Sequence, residues 1–448
     1  MAKFVWYASR NTDVIANEFI GEGMLVNFTF QNFRSFREAK TLSLEASSIE
    51  DLENSVVRRA GYRLLPVLAI YGANSSGKSN VLEALRTMRR VVVNSVKLDP
   101  TDNLSFEPFL LRDTPQRESS FEIQFIQNDA LYRYGFDYNE TKILREWLYE
   151  TKKKEAFLFR REGSRYEINQ SRFKEGNGKE KATPPNRLFL SLVAQLNGAK
   201  SQLILEWFRR CNYLSGLSGS DYEGYTVRMF HKELEGCQEA RDFFGRMQLG
   251  FNDLRISERE FTDEDLAEGA MPDRIRRELV EQLQGKTFLE AQTVHNIYNA
   301  KGKIIGTRHF PKDRMESDGT KKLIEMAGPI FDSLRHGKVL IIDELDAKLH
   351  PIMTRNILQL FMNPCSNPHG AQLIFATHDT NLLNLTYLRR DQIWFTEKDR
   401  TSSSDLYSLV EFRSTPSDER NVARDYINGR YGAIPFLGLI DKKEDEKI

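Results

Sequence analysis

The sequence predicts an α/β fold, in which a mixed sheet flanked by helices carries an antiparallel β lobe and an inserted helical subdomain. Three observations lead there. Residues 66–71 form a continuous apolar run, the pattern of a strand buried on both faces. A Gly/Ser-rich loop follows at once, and then Val81, Leu82, Leu85 and Met88 fall at helical spacing. The same texture returns late in the chain, where Val339 to Ile342 and Gln372 to Ala376 read as two more buried strands.

The elements follow in order. Residues 1–23 are an N-terminal extension that carries Arg10, Asp13 and Glu18 and has no apolar segment of secretory type. Residues 24–118 form the first α/β half. Within it Val26, Phe28 and Phe30 alternate with polar residues, residues 41–46 alternate likewise, and the two strands are expected to pair. Residues 119–185 are an antiparallel lobe, in which Phe121, Ile123 and Phe125 alternate, as do Tyr132, Tyr134, Phe136 and Tyr138, with breaks at Asn128-Asp129 and Asn139-Glu140. Residues 186–290 read as mainly helical, anchored by Leu188, Phe189, Leu190, Leu203, Ile204 and Leu205. Residues 291–440 return to α/β and open on a hairpin around Ala300-Lys301-Gly302-Lys303. Residues 441–448 are a charged tail, expected to fray. No internal repeat or sustained heptad run is present, so a long coiled-coil arm is not expected.

Composition narrows the function. With 448 residues, 40% of them hydrophobic, the chain can bury a large domain and a second lobe. The 64 basic and 64 acidic residues cancel, which argues against wholesale coating of nucleic acid and leaves room for a local basic groove. Clusters such as Lys152-Lys153-Lys154, Arg160-Arg161 and Arg274-Ile275-Arg276-Arg277 read as solvated faces. Cys211, Cys237 and Cys365 include no CxxC pair, so neither a disulfide framework nor a zinc site is expected, and a reducing cytoplasm fits. No run of 18 apolar residues suggests a membrane span.

Chemistry concentrates at a few positions. Gly72-Ala73-Asn74-Ser75-Ser76-Gly77-Lys78-Ser79 fits GxxxxGK[ST], the P-loop. Its glycines let backbone N–H groups curl around phosphate oxygens at a helix N-terminus, Lys78 adds a positive charge for the outer phosphates, and Ser79 offers a hydroxyl to Mg²⁺. The apolar strand 339–342 ends in Asp343 and Glu344. Asp343 suits Mg²⁺, and Glu344 suits a residue that orients or deprotonates the attacking water. Ser317-Asp318-Gly319-Thr320 opens a helical stretch, which by itself is an N-cap and equally an anion site. His378 stands just past the strand 372–376.

Together these motifs resemble the ATP-binding-cassette type P-loop ATPases of the SMC and RecF kind, and more closely the bacterial ATPase family called RloA or AbiLi. The likeness starts at Met24 and includes Phe33-Arg34-Ser35-Phe36, Phe106-Glu107-Pro108-Phe109-Leu110, Phe189-Leu190-Ser191-Leu192, Glu316 to Thr320, Leu349-His350-Pro351 and the closing Gly429-Arg430-Tyr431-Gly432-Ala433-Ile434-Pro435. The resemblance implies that Ser317 and Gly319, 26 residues before Asp343, are the signature that grips the γ-phosphate held by a second copy. It implies a dimer contact at Asp346 and a γ-phosphate sensor at His378, and it brings Asn32 and Arg34 near the nucleotide. Gln124 and Gln195 both stand as candidates for the glutamine such ATPases place beside the metal. The implied function is ATP hydrolysis with Mg²⁺ by a head-to-tail homodimer, or a higher oligomer, in the cytoplasm. The implied setting is anti-phage defence, with an RloB-like effector of nuclease or toxin type and a nucleic acid or phage component as trigger. The alternatives are a scaffold that holds ATP with little turnover, and a repair or chromosome ATPase that grips DNA.

Overall fold

The structure, a computed structural model, describes residues 23–113, 117–216, 220–262, 272–412 and 422–435. The expected extension, apart from Gly23, and the charged tail lie outside them.

The chain opens with β1 (Met24–Gln31) and β2 (Lys40–Ser43), which pair antiparallel with Phe28 opposite Leu42. A small hairpin, β3 (Val57–Arg59) and β4 (Tyr62–Leu64), leads to β5 (Val67–Gly72) and α1 (Lys78–Asn94). A meander follows: β6 (Ser119–Gln127), β7 (Ala130–Tyr138), β8 (Ile143–Thr151), β9 (Glu155–Glu162) and β10 (Arg165–Ile168). The β6–β7 turn places Asn128 and Asp129 at positive φ (49° and 56°), as a two-residue hairpin turn requires.

The meander does not stand apart as a lobe. β6 pairs with β1, Phe30 opposite Phe121, giving one seven-stranded sheet ordered β10-β9-β8-β7-β6-β1-β2. Stacked rings of Phe28, Phe30 and Phe121 join the two parts. A register shift between Leu25 and Asn27 also breaks the simple alternation expected for β1. Phe28 and Phe30 face the main core, whereas Val26 turns to a small cluster with Met24, Leu64 and Ile126.

The next stretch contains α2 (Phe189–Gln195), α3 (Ala199–Arg209), β11 (Asn212–Ser215), α4 (Ser220–His231), α5 (Cys237–Met247), β12 (Asp253–Glu260) and α6 (Asp273–Leu283). Then come β13 (Thr287–Tyr298) and β14 (Ile304–Pro311), the expected hairpin. The helical reading of 186–290 thus needs correction at β11, β12 and the start of β13. β12 holds only Leu254 and Ile256 as apolar residues among charged ones, and its pairing with β13 is what makes it a strand.

After α7 (Lys312–Met315) and α8 (Asp318–His336) the chain forms β15 (Val339–Asp343), α9 (Pro351–Met362), β16 (Gln372–Ala376), β17 (Ile393–Lys398), β18 (Ser404–Ser408) and α10 (Val422–Ile427). The second sheet, ordered β11-β15-β16-β5-β17-β18, is parallel except for its last pair. It is buried on both faces. Leu68, Ile70, Val339, Ile341 and Ile374 pack with α1 and the antiparallel sheet, while Val67, Ala69, Leu340, Ile342, Leu373 and Phe375 pack with α4, α5, α8 and α9. α8 tolerates Pro329 because the Thr226 hydroxyl donates to the carbonyl of Glu325, four residues before the proline, at 2.8 Å. The loops that leave the C-terminal ends of β5, β15 and β16 meet at one place, where parallel sheets bind ligands.

Candidate nucleotide site

The loop between β5 and α1 is held open by its backbone and by its neighbours. Gly72, Ser75 and Gly77 have φ of 153°, 63° and 120°. A Cβ on Gly72 would lie 2.5 Å from the Thr396 carbonyl oxygen, and one on Gly77 would lie 2.7 Å from Ser404 Oγ, so both positions need glycine. Ser76 Oγ shares a 2.6 Å hydrogen bond with Thr396 Oγ1, and Ser404 Oγ donates to the Ser76 carbonyl at 2.7 Å. α1 has no side-chain cap and no acidic residue in its first turn. Its first N–H groups and its positive end are therefore available to an anion. Asn74, Ser75 and Ser79 are exposed.

Lys78 is almost fully buried, and its Nζ donates to the carbonyls of Gly72 (2.8 Å) and Ala73 (3.0 Å). Burial pushes its pKa down to about 8, against the opposing pull of Asp343, Glu344 and Asp346. Asp343 lies at the end of β15, with the Ser79 hydroxyl near enough to offset part of the burial effect on its carboxyl. Its carboxyl pKa is raised, by burial first and by neighbouring Glu344 and Glu83 as well. Asp343 Oδ1 is buried with no hydrogen-bond partner. A carboxylate with a buried, unpartnered oxygen beside a hydroxyl is a hard-oxygen donor pair suited to Mg²⁺.

Beyond β15 the chain turns sharply at Glu344, a non-glycine residue at φ 54°. The Asp346 carboxylate accepts the His378 backbone N–H, at 3.3 Å to each oxygen, which ties this turn to the end of β16. The His378 pKa is lowered, by desolvation and then by the Lys78 charge, so the ring is neutral near pH 7. Lys78, Ser79, Asp343, Glu344, Asp346 and His378 thus share one locality within a single chain.

Ser317 and Gly319 belong to a different surface. Ser317 is exposed and caps α8, its Oγ accepting the Thr320 N–H at 3.2 Å. A Cβ on Gly319 would lie 2.7 Å from the Lys348 carbonyl oxygen, and Lys348 Nζ pairs with Asp318 at 3.0 Å. Among the described residues no hydrogen bond or ion pair joins 317–320 to 72–79.

The two residues near the opening strand part company. Asn32 is fully buried. Its amide donates to the Glu118 carbonyl at 2.7 Å and accepts the Phe109 N–H at 3.1 Å, so it braces the framework and is not exposed to a nucleotide. Arg34 is held by Glu107 at 2.6 Å and reaches Asn80, the residue after Ser79, at 3.5 Å, a place from which a guanidinium can approach a phosphate. Gln124 accepts from Asn27 within the antiparallel sheet, and Gln195 ends α2. The segment that meets the acidic turn is instead Ser215-Gly216. Gly216 N–H donates to the Asp343 carbonyl at 2.6 Å, and a Cβ there would lie 1.9 Å from the Glu344 carbonyl oxygen. Sequence reasoning also missed Lys322, Thr396 and Ser404, whose only signal is their place in the folded chain.

Among the described residues no group of three or more His, Cys, Asp or Glu could hold a metal, and no helix is long and apolar enough to cross a membrane. Cys211 and Cys237 are buried, Cys365 is exposed, and all three are free thiols.

A parallel sheet with this loop, this acidic strand end and this uncapped helix defines a P-loop ATPase fold. A family model described as "AAA domain, putative AbiEii toxin, Type IV TA system" matches residues 67–384, most of the chain, and the chain belongs to that family. No curated protein matches it. Among solved structures it is similar to the SMC head bound to the C-winged helix domain of ScpA, with 14% identity, a TM-score of 0.39 and coverage of 86% of this chain and 97% of that one. It is also similar to the SMC head domain from Thermotoga maritima (13% identity, TM-score 0.39, 86% and 98%). A third likeness is to the recombination mediator RecF with ATP (11% identity, TM-score 0.37, 87% and 99%).

Proposed function

We propose that this chain is an ATP-hydrolysing subunit that works as a head-to-tail homodimer. One observation supports the reading: the serine-capped end of α8 is exposed and unconnected to its own P-loop among the described residues, which leaves it free to meet a nucleotide held by a second copy. Residues 72–78 cradle the phosphates, and Arg34 lies in reach of them. Ser79 and Asp343 would hold Mg²⁺, which neutralises phosphate charge when bound. Glu344 accepts a proton from the water whose oxygen bonds to the γ-phosphorus, while the bond to the bridging oxygen breaks and ADP leaves with the electron pair. Neutral His378 donates a hydrogen bond to the γ-phosphate, and Asp346 holds its backbone in place. In a cell we place this ATPase in the cytoplasm as the regulator of a separate nuclease- or toxin-type effector in anti-phage defence, the setting that the RloA or AbiLi likeness suggests.

Mixing tests the shared site. Lys78→Ala and Ser317→Arg should each abolish steady-state phosphate release, and equal mixtures should regain up to about a quarter of wild-type activity, because half the dimers are mixed and each has one intact site. No recovery in mixtures that demonstrably exchange subunits, together with no ATP-dependent dimer of Glu344→Gln, would overturn the arrangement.

A second reading, contact with nucleic acid, is favoured by the β13–β14 hairpin. Residues 291–312 contain no acidic side chain, Lys301, Lys303 and Arg308 are exposed, and Tyr298, Ile304 and Ile305 are 59–64% exposed at the tip. By contrast, Arg161 from one of the basic clusters is buried against Glu146. Binding of a labelled duplex should weaken steeply with salt, and Lys301→Ala, Lys303→Ala and Arg308→Ala together should lower the log–log slope by about 3. An unchanged slope removes the hairpin from the interaction.

A further inference from the structure

The first turns of α8 are bolted to the turn that presents Glu344. Lys322, almost fully buried, donates from Nζ to three backbone carbonyls, those of Glu344 (3.2 Å), Leu345 (3.1 Å) and Ala347 (2.5 Å). One turn earlier, Gly319 lies against the Lys348 carbonyl and Asp318 pairs with the Lys348 ammonium. The turn needs such support. Glu344 and Lys348 both sit at positive φ (54° and 62°), a conformation that side-chain-bearing residues rarely adopt. Its carbonyls point inward, where without a donor they would be buried and unsatisfied. An ammonium is the side-chain group that can serve three acceptors from one atom.

In the proposed dimer, Ser317 of a protomer serves one nucleotide while Glu344 of the same protomer serves the other. The only side chain that links the helix behind Ser317 directly to the Glu344 backbone, among the described residues, is Lys322. We infer that Lys322 is a positioning residue that couples the two half-sites of a protomer, so that closure of Ser317 on the partner's nucleotide aligns Glu344 over its own. This inference rests on the shared-site reading. It goes beyond that reading by naming the residue that makes the two sites interdependent.

The test compares wild type with Lys322→Met and Lys322→Arg, full chain with Mg²⁺, in two measurements: affinity for a fluorescent ATP analogue, and ATP dependence of phosphate release. Lys322→Met should keep the affinity within about twofold and lower kcat about tenfold or more, a split that marks loss of alignment and not of binding. The Hill coefficient should fall toward one. Lys322→Arg, which keeps the charge and several donors, should recover part of kcat. Parallel loss of affinity and kcat, or a Hill coefficient that is the same in wild type and Lys322→Met, would overturn the coupling. Coupling lowers the recovery in the mixing experiment, because the protomer with the intact P-loop carries Ser317→Arg; ATP-dependent dimerisation of Glu344→Gln, which needs no turnover, therefore tells failure of the shared site from failure of Lys322. Should Lys322→Met not fold, Lys322→Arg carries the same two readouts.

Discussion

Lys78 shows how far one residue's environment departs from what its letter conveys. The motif announces a phosphate-binding lysine, and the structure adds that burial brings its pKa down to about 8. The sign follows from that. Above this pH the amine of the empty site is neutral, whereas a triphosphate favours the ammonium, so binding takes up a proton and affinity falls as pH rises. The dissociation constant for a fluorescent ATP analogue should therefore increase between about pH 7 and about pH 9.5, toward a limit of about tenfold per unit, and Lys78→Arg should flatten the profile because arginine stays charged. A flat wild-type profile would show that the ammonium is not the species that titrates. Asn32 makes the opposite point. The resemblance places it near the nucleotide, yet both ends of its amide are used by backbone 77 and 86 residues away.

At the scale of elements, the strongly periodic segments were legible and the weakly periodic ones were not. β5, β15 and β16 are apolar on both faces, and no other environment suits such runs, so their sequence marks them as central strands. β11 has four residues and β12 two apolar ones, and each becomes a strand because a partner presents an edge. α8 was legible as a serine-capped helix, but its tight seat was not. In an isolated helix Gly319→Ala would be favourable by about 1 kcal/mol. Here the new Cβ would lie 2.7 Å from a backbone carbonyl oxygen, so the substitution should displace the first turn of α8. We expect ATP-analogue binding to stay within about twofold and phosphate release to drop about tenfold, measured on the same preparation. Unimpaired turnover would mean that the turn has room to move.

At the scale of the whole molecule, α1 is the hinge of the design. It lies between the antiparallel sheet and the parallel sheet, and both contribute to one continuous core around it. The N-terminal end of α1, the acidic turn and the residues after β16 therefore lie together, while the serine end of α8 is exposed; in the proposed dimer these are the two half-sites. In that proposal ATP drives assembly. Glu344→Gln keeps the shape but removes the proposed base, so it should bind ATP, fail to turn it over and shift to a stable dimer in size-exclusion chromatography with Mg²⁺ and ATP. A variant that stays monomeric with bound ATP would separate nucleotide binding from association.

By itself the sequence determined the parallel core, the phosphate loop, the acidic strand end and the serine-capped helix, because each rests on local spacing: a period of two, a period of 3.6, or a loop whose glycines need positive φ. The tertiary structure alone decided that the meander joins β1 in one sheet, that Asn32 is a brace, that Ser215-Gly216 meets the acidic turn, and that Lys322 holds the carbonyls beside Glu344. Those outcomes depend on hydrogen bonds and contacts between residues tens to hundreds of positions apart, and no local pattern encodes which distant backbone a side chain will meet once the core has closed.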